Sequence, residues 1–128
     1  MRWRATNARR AFLLAAAVAI SSGCDLAYDA IVDPGAPKEA ELRRLVREGA
    51  NEADLAKVVP GGDWNRKGTP EWAGIEAFLA REPSGSFKPL REAMQRYPTI
   101  VYHTTAWRMT WVFVDKSGVV RGYYLCAQ

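Results

Sequence analysis

The chain is short of the residues that most enzymes use for chemistry. It has one histidine, His103, and two cysteines, Cys24 and Cys126. Zinc sites draw several Cys, His or acidic ligands at close, recognisable spacings, and one histidine with one spare cysteine supplies no such motif. A general base needs a nucleophile or substrate within reach and a group that orients it. No Ser-, Asp- or Glu-containing motif of that kind stands beside His103. Gly61-Gly62 lacks the lysine and the strand-to-helix setting of a phosphate loop. These absences argue against an enzyme, a metal site and a bound cofactor. Acids are missing from the first 23 residues, which carry Arg2, Arg4, Arg9 and Arg10. The formal charge of +4 therefore belongs to the N-terminus, and the rest of the chain has 18 − 4 = 14 basic and 14 acidic residues, a net of zero. A neutral domain has lost the electrostatic argument for nucleic-acid binding. Also missing is any run of the ~20 apolar residues that a membrane-spanning helix needs.

What is present at the N-terminus is a basic start followed by a short apolar run, Ala11 to Ile20, and small residues. This is the layout of a secretory signal. It ends in Ile20-Ser21-Ser22-Gly23-Cys24, which resembles the bacterial lipobox, with Ser21 standing where an aliphatic residue is commoner. In that family the cysteine thiol receives a diacylglycerol, the chain is cut just before it, and the new amino group is usually acylated. The resemblance implies a signal peptide over 1–23, lipidation at Cys24 and a lipidated tether over 24–37. The covalent lipid is then the only non-protein group, and the membrane the first partner. Two or three acyl chains, at about 0.8 kcal/mol per buried CH₂, make a stable anchor where one does not. The domain would face the periplasm. Asp25 after the cysteine points to the inner membrane by the rule of enteric bacteria, and inner or outer membrane stays open. With Cys24 acylated, Cys126 has no partner within the chain and is either buried and inert or paired between molecules.

The tether closes with Asp33-Pro34-Gly35-Ala36-Pro37, a series of structure breakers. A single domain is expected over 38–128. Leu42, Leu45 and Val46 share one face of a helix over Lys38 to Glu48, with Gly49 as its C-terminal cap. Asn51 caps a second helix running to about Val59, and the pair makes an αα-hairpin. Asp63 to Gly68 is polar apart from Trp64 and reads as a loop. Thr69-Pro70-Glu71 is a helix entrance, and Trp72, Ile75, Phe78 and Leu79 follow at helical spacing, with Trp72 and Phe78 expected in the core. A fourth helix is expected over Phe87 to Tyr97. The last thirty residues change character. Thr99 to Thr105, Met109 to Asp115 and Val119 to Cys126 are β-branched and aromatic, with Lys116-Ser117-Gly118 as a hairpin turn. The expected architecture is α+β, four short helices packed on one face of a three-stranded antiparallel meander.

Gly49-Ala50-Asn51-Glu52-Ala53-Asp54-Leu55, then Val59-Pro60-Gly61, and the closing Thr110-Trp111-Val112-Phe113-Val114-Asp115-Lys116-Ser117-Gly118-Val119-Val120 are similar to elements of the SmpA/OmlA (BamE-like) family of small lipoproteins. That resemblance implies an αα-hairpin on a three-stranded sheet and a role in outer-membrane assembly or envelope maintenance. The two helices between the hairpin and the sheet depart from the family plan. Trp111 and Phe113 lie on one strand face, Val112 and Val114 on the other, and Tyr123 and Tyr124 point opposite ways. Both sheet faces are therefore apolar. Either helices cover both, or Trp111, Phe113, Tyr123 and Tyr124 contribute to an exposed partner-binding surface. The last strand is a further candidate, as a sheet edge open to strand addition. The reading is a non-catalytic, membrane-anchored envelope module that binds an envelope protein. Its alternative is a lipoprotein that binds a small ligand or inhibits an enzyme.

Overall fold

The computed structural model describes residues 34–82 and 85–127. Cys24, the expected signal peptide over 1–23 and residues 24–33 of the expected tether lie outside the described residues. Helix α1 spans Glu39–Glu48 and buries Leu42 and Leu45. It ends where Gly49 takes a left-handed φ of 64°, a conformation glycine adopts without a Cβ clash. The Gly49 N–H donates to Val46 O and the Ala50 N–H to Leu45 O at 2.9 Å, which satisfies two of the carbonyls a helix leaves unpaired. Helix α2, Glu52–Val58, starts with the Asn51 side chain accepting from the Asp54 N–H.

The chain then forms a strand in a stretch whose composition suggested a loop. Strand β1, Asp63–Arg66, pairs antiparallel with β2, Thr99–Thr104. Asp and Asn disfavour strands, so the cause is tertiary. Asn65 is buried, and its Nδ2 donates to Ile100 O at 3.3 Å and to Asp63 O at 3.1 Å. The Arg66 guanidinium forks onto Glu52 of α2 through bonds of 3.1 and 3.2 Å, and also donates to Thr99 Oγ1. It lies over the Trp64 ring, 5.4 Å from the centroid. The entry to β1 is tight. A Cβ at Gly62 would sit 2.9 Å from Val101 Cγ1 and 3.0 Å from Val59 Cγ1. Gly62→Ala is thus expected to destabilise by about 1–3 kcal/mol, the usual cost of overpacking, read as a lower urea midpoint at unchanged m-value.

Helix α3, Pro70–Arg81, opens on Thr69, whose Oγ1 accepts from the Trp72 N–H and donates to Arg66 O. A 3₁₀ turn, Gly85–Phe87, leads into α4, Lys88–Arg96. Arg91 of α4 donates to the carbonyls of Leu79 and Glu82, closing the C-terminal end of α3. Strands β3, Arg108–Val114, and β4, Val120–Ala127, complete an antiparallel sheet of order β1-β2-β3-β4. The sheet thus has four strands where three were expected.

The helices cover both sheet faces, one of the two alternatives that the apolar strand faces left open, rather than packing on one face alone. Leu42, Leu45, Leu55 and Val59 of the α1–α2 side meet Val101, Val112, Val114 and Val120 in one core. Trp72, Leu79, Phe87, Leu90 and Met94 of the α3–α4 side meet Ile100, Trp111 and Phe113 in another. The strict alternation of β3 makes this possible, since its even and odd positions feed different layers. Phe113 faces Gly122 and Val114 faces Val120 across the β3–β4 pair, which leaves Arg121 as an extra residue. The bulge puts Val120 in the same layer as Tyr123 and Leu125.

The β3–β4 turn is organised by Asp115. Its Oδ1 accepts from the Ser117 and Val119 N–H groups at 2.8 and 3.0 Å, and Oδ2 accepts from Arg121 Nε at 2.8 Å. The Val119 N–H bond, then Arg121, holds its carboxyl below the usual carboxylate range. A depressed folded-state pKa contributes stability above the ordinary carboxylate value and loses it as pH falls through the folded one. Asp115→Asn should therefore lower Tm at neutral pH, and the gap from the parent should close in acid. Thermal melts across that range check it; a gap independent of pH would reject the linkage.

Candidate functional site

The four aromatic residues singled out on the strands do not form one exposed surface. Trp111 and Phe113 are buried in the α3–α4 layer, with Phe113 stacked on Tyr97 at 6.2 Å. Tyr124 is half-buried in the same layer beside Cys126, itself half-buried at the margin; desolvation, then the neighbouring thiol, raises the Tyr124 pKa. Tyr123 belongs to the opposite layer. Its hydroxyl donates to Glu39 Oε2 at 2.9 Å, and burial, then that carboxylate, holds its proton above the ordinary range. Strand β4 is a sheet edge, and its first residues pair with the α1–α2 connection through Val120 N–H to Ala50 O and an Asn51–Val119 bridge.

His103 lies half-buried on β2, opposite Thr110 of β3. Its Nδ1 and the Thr110 Oγ1 are buried without a hydrogen-bond partner among the described residues. No group of three or more His, Cys, Asp or Glu side chains placed to hold a metal ion occurs among the described residues.

Two sizeable concavities are lined by described residues. The larger, about 650 Å³, runs along α4 past Glu92, Arg96 and Tyr97 to Phe113. Its lining is mixed, with Glu92, Gln95 and Arg96 among the apolar residues. The second, about 450 Å³, lies between α3 and the sheet. Tyr102 and Trp111, opposite each other across β2 and β3, hold their rings 4.2 Å apart in its lining. Ile75, Phe78 and Met109 add further apolar surface, with Asn65 beside them and the exposed carboxylates of Asp63 and Glu71 at the margin. No basic side chain among the described residues lines it. Trp111 is 6 % exposed, and its Nε1–H is buried with no acceptor among the described residues. An unpaired buried donor costs about 1–3 kcal/mol, and a native structure retains few of them. The groove therefore joins an apolar lining to an acidic margin.

Phe78 is the residue whose placement departs most from its pattern. It is 37 % exposed. At ~100° per residue, Leu79 falls within about 20° of Trp72 around the helix, whereas Phe78 falls about 120° away. That angle places it at the edge of the buried stripe, a signal that spacing counts alone conceal. Trp72, at the centre of the stripe, is buried as expected. No family model matches the chain, and no match is found among curated proteins or solved structures.

Proposed function

We propose that this protein is a lipid-anchored, non-catalytic binding module of the bacterial envelope that receives an apolar group in the groove between α3 and the sheet. The observation that carries the proposal is the groove itself, where exposed Phe78 stands with Ile75, Met109 and the Tyr102–Trp111 pair. Large apolar side chains left in contact with solvent around a concave surface mark a binding site. The basic start and Ile20-Ser21-Ser22-Gly23-Cys24 support the anchor. The Asp63 and Glu71 carboxylates favour an apolar group with a positive charge beside it, such as a basic, apolar segment of an envelope protein. The resemblance to the SmpA/OmlA family supports barrel assembly or envelope maintenance as its setting.

A photo-crosslinking amino acid at Phe78 in the full-length protein tests this in native membranes. A discrete adduct is expected there, absent when the same group replaces exposed Lys116. Identical products at both positions, or none at either, would reject the groove as the binding surface. The alternative is a small apolar ligand, favoured by a volume within the ~300–1,000 Å³ of typical ligand sites. Native mass spectrometry separates the two, because a bound small molecule adds a fixed mass to the purified lipoprotein.

A further inference from the structure

Phe78 and Trp107 are the large hydrophobic residues that stand exposed among the described residues, and only Phe78 lines the groove. Trp107 is 53 % exposed and belongs to neither core. It sits at the β2–β3 turn, and the turn is well ordered by its own bonds. Thr105 Oγ1 accepts from the N–H groups of Trp107 and Arg108 at 3.3 and 3.2 Å, and the Thr105 N–H donates to Arg108 O at 2.9 Å. The indole is therefore held out from a fixed turn.

The same turn is where the chain enters the domain. Arg108 Nη1 donates to Pro37 O at 3.3 Å, and a Cβ on Gly35 would lie 4.0 Å from Thr105 Cγ2. Ala36 is buried. Only ten residues, 25–34, separate Cys24 from Gly35, a reach of at most about 40 Å when fully extended and less in any relaxed chain. A tether attached at the far end of the sheet would hold this turn away from the anchor. Attached here, the tether leaves the turn within its reach of the anchor. The turn sequence Thr104-Thr105-Ala106-Trp107-Arg108 contains no acid, and Lys38 stands exposed at the entry. Tryptophan flanked by basic residues is the composition that settles at the headgroup level of a bilayer, with the ring at the apolar boundary and the cations in water.

We infer that the β2–β3 turn docks on the membrane surface, with Trp107 inserted at the headgroup–acyl boundary. This rests on the lipid-anchor reading proposed above. Docking there orients the domain. Met109, two residues beyond Trp107, lines the groove, so at ~3.4 Å per strand residue the groove begins within about 7 Å of the docked residue along the chain.

The test uses the full lipoprotein purified from membranes and reconstituted in phosphatidylcholine vesicles whose acyl chains carry bromine near the headgroup. Bromine quenches tryptophan emission at short range. The parent should be quenched relative to unbrominated vesicles, and Trp107→Phe should lose most of that quenching. The exposed position makes this variant safe for folding, which a circular-dichroism melt verifies. The mass of the N-terminal peptide is read on the same sample. An unmodified Cys24 overturns the anchor and the docking together. A lipidated Cys24 with no quenching, or with quenching that survives Trp107→Phe, overturns the docking and leaves the anchor standing.

Discussion

Trp111→Ala is expected to destabilise the domain by about 3–5 kcal/mol, the range for deleting a large aromatic from a packed core. The side chain is 6 % exposed and packs in the layer of Trp72, Leu90 and Ile100 against Tyr102. Equilibrium urea unfolding measures the effect. Small domains have about 5–15 kcal/mol in total, so the variant should show a large loss of midpoint and raised protease sensitivity. A surface residue serving only a partner would instead shift stability by no more than about 0.5 kcal/mol, and that outcome would contradict the packing described here. Loss of the unpaired indole donor offsets part of the cost, because a buried N–H without an acceptor is itself unfavourable. Trp111→Phe, which removes the donor and keeps most of the ring, should cost much less than the alanine variant.

The second large effect concerns Cys24. Exported through an ordinary cleavable signal so that secretion is matched, the chain with Cys24→Ala should move from the membrane fraction to the soluble fraction almost completely. Each acyl chain contributes about 0.8 kcal/mol per buried CH₂, and neither the neutral charge of the chain beyond residue 23 nor a single interfacial tryptophan replaces two or three such chains. Fractionation after osmotic release decides it. Retention of the variant in a carbonate-washed membrane pellet would contradict lipid anchoring at Cys24. Binding at the groove should survive in the soluble variant when its partner is supplied, since Cys24 lies outside the domain that holds Phe78 and Trp111.

Local signals and long-range ones divide the fold between them. The starts and stops of the helices were legible because each is set by a neighbour in sequence. Gly49 ends α1 with a positive φ, Asn51 caps α2, and Thr69 with Pro70 opens α3. The last three strands were legible from β-branched and aromatic alternation. Strand β1 was not, because Asp63-Trp64-Asn65-Arg66 has little strand character of its own. It is held by β2, by Thr99 and by Glu52, residues 14 to 39 positions away. The groove was hidden for the same reason: Phe78 and Met109 each look like core residues until α3 is laid on the sheet.

The amino-acid order by itself determined the signal and lipobox resemblance, the neutral charge beyond residue 23, the sequence of elements and the two apolar faces of β3. Only the tertiary structure decided which helices cover which face, that Trp111 and Phe113 are interior, and that Phe78 and Trp107 remain in contact with solvent. The physical reason is that hydrophobic burial has no direction. Periodicity states that a face must be covered, whereas the strand register, the Arg121 bulge and the helix connections choose what covers it and which apolar residues are left outside.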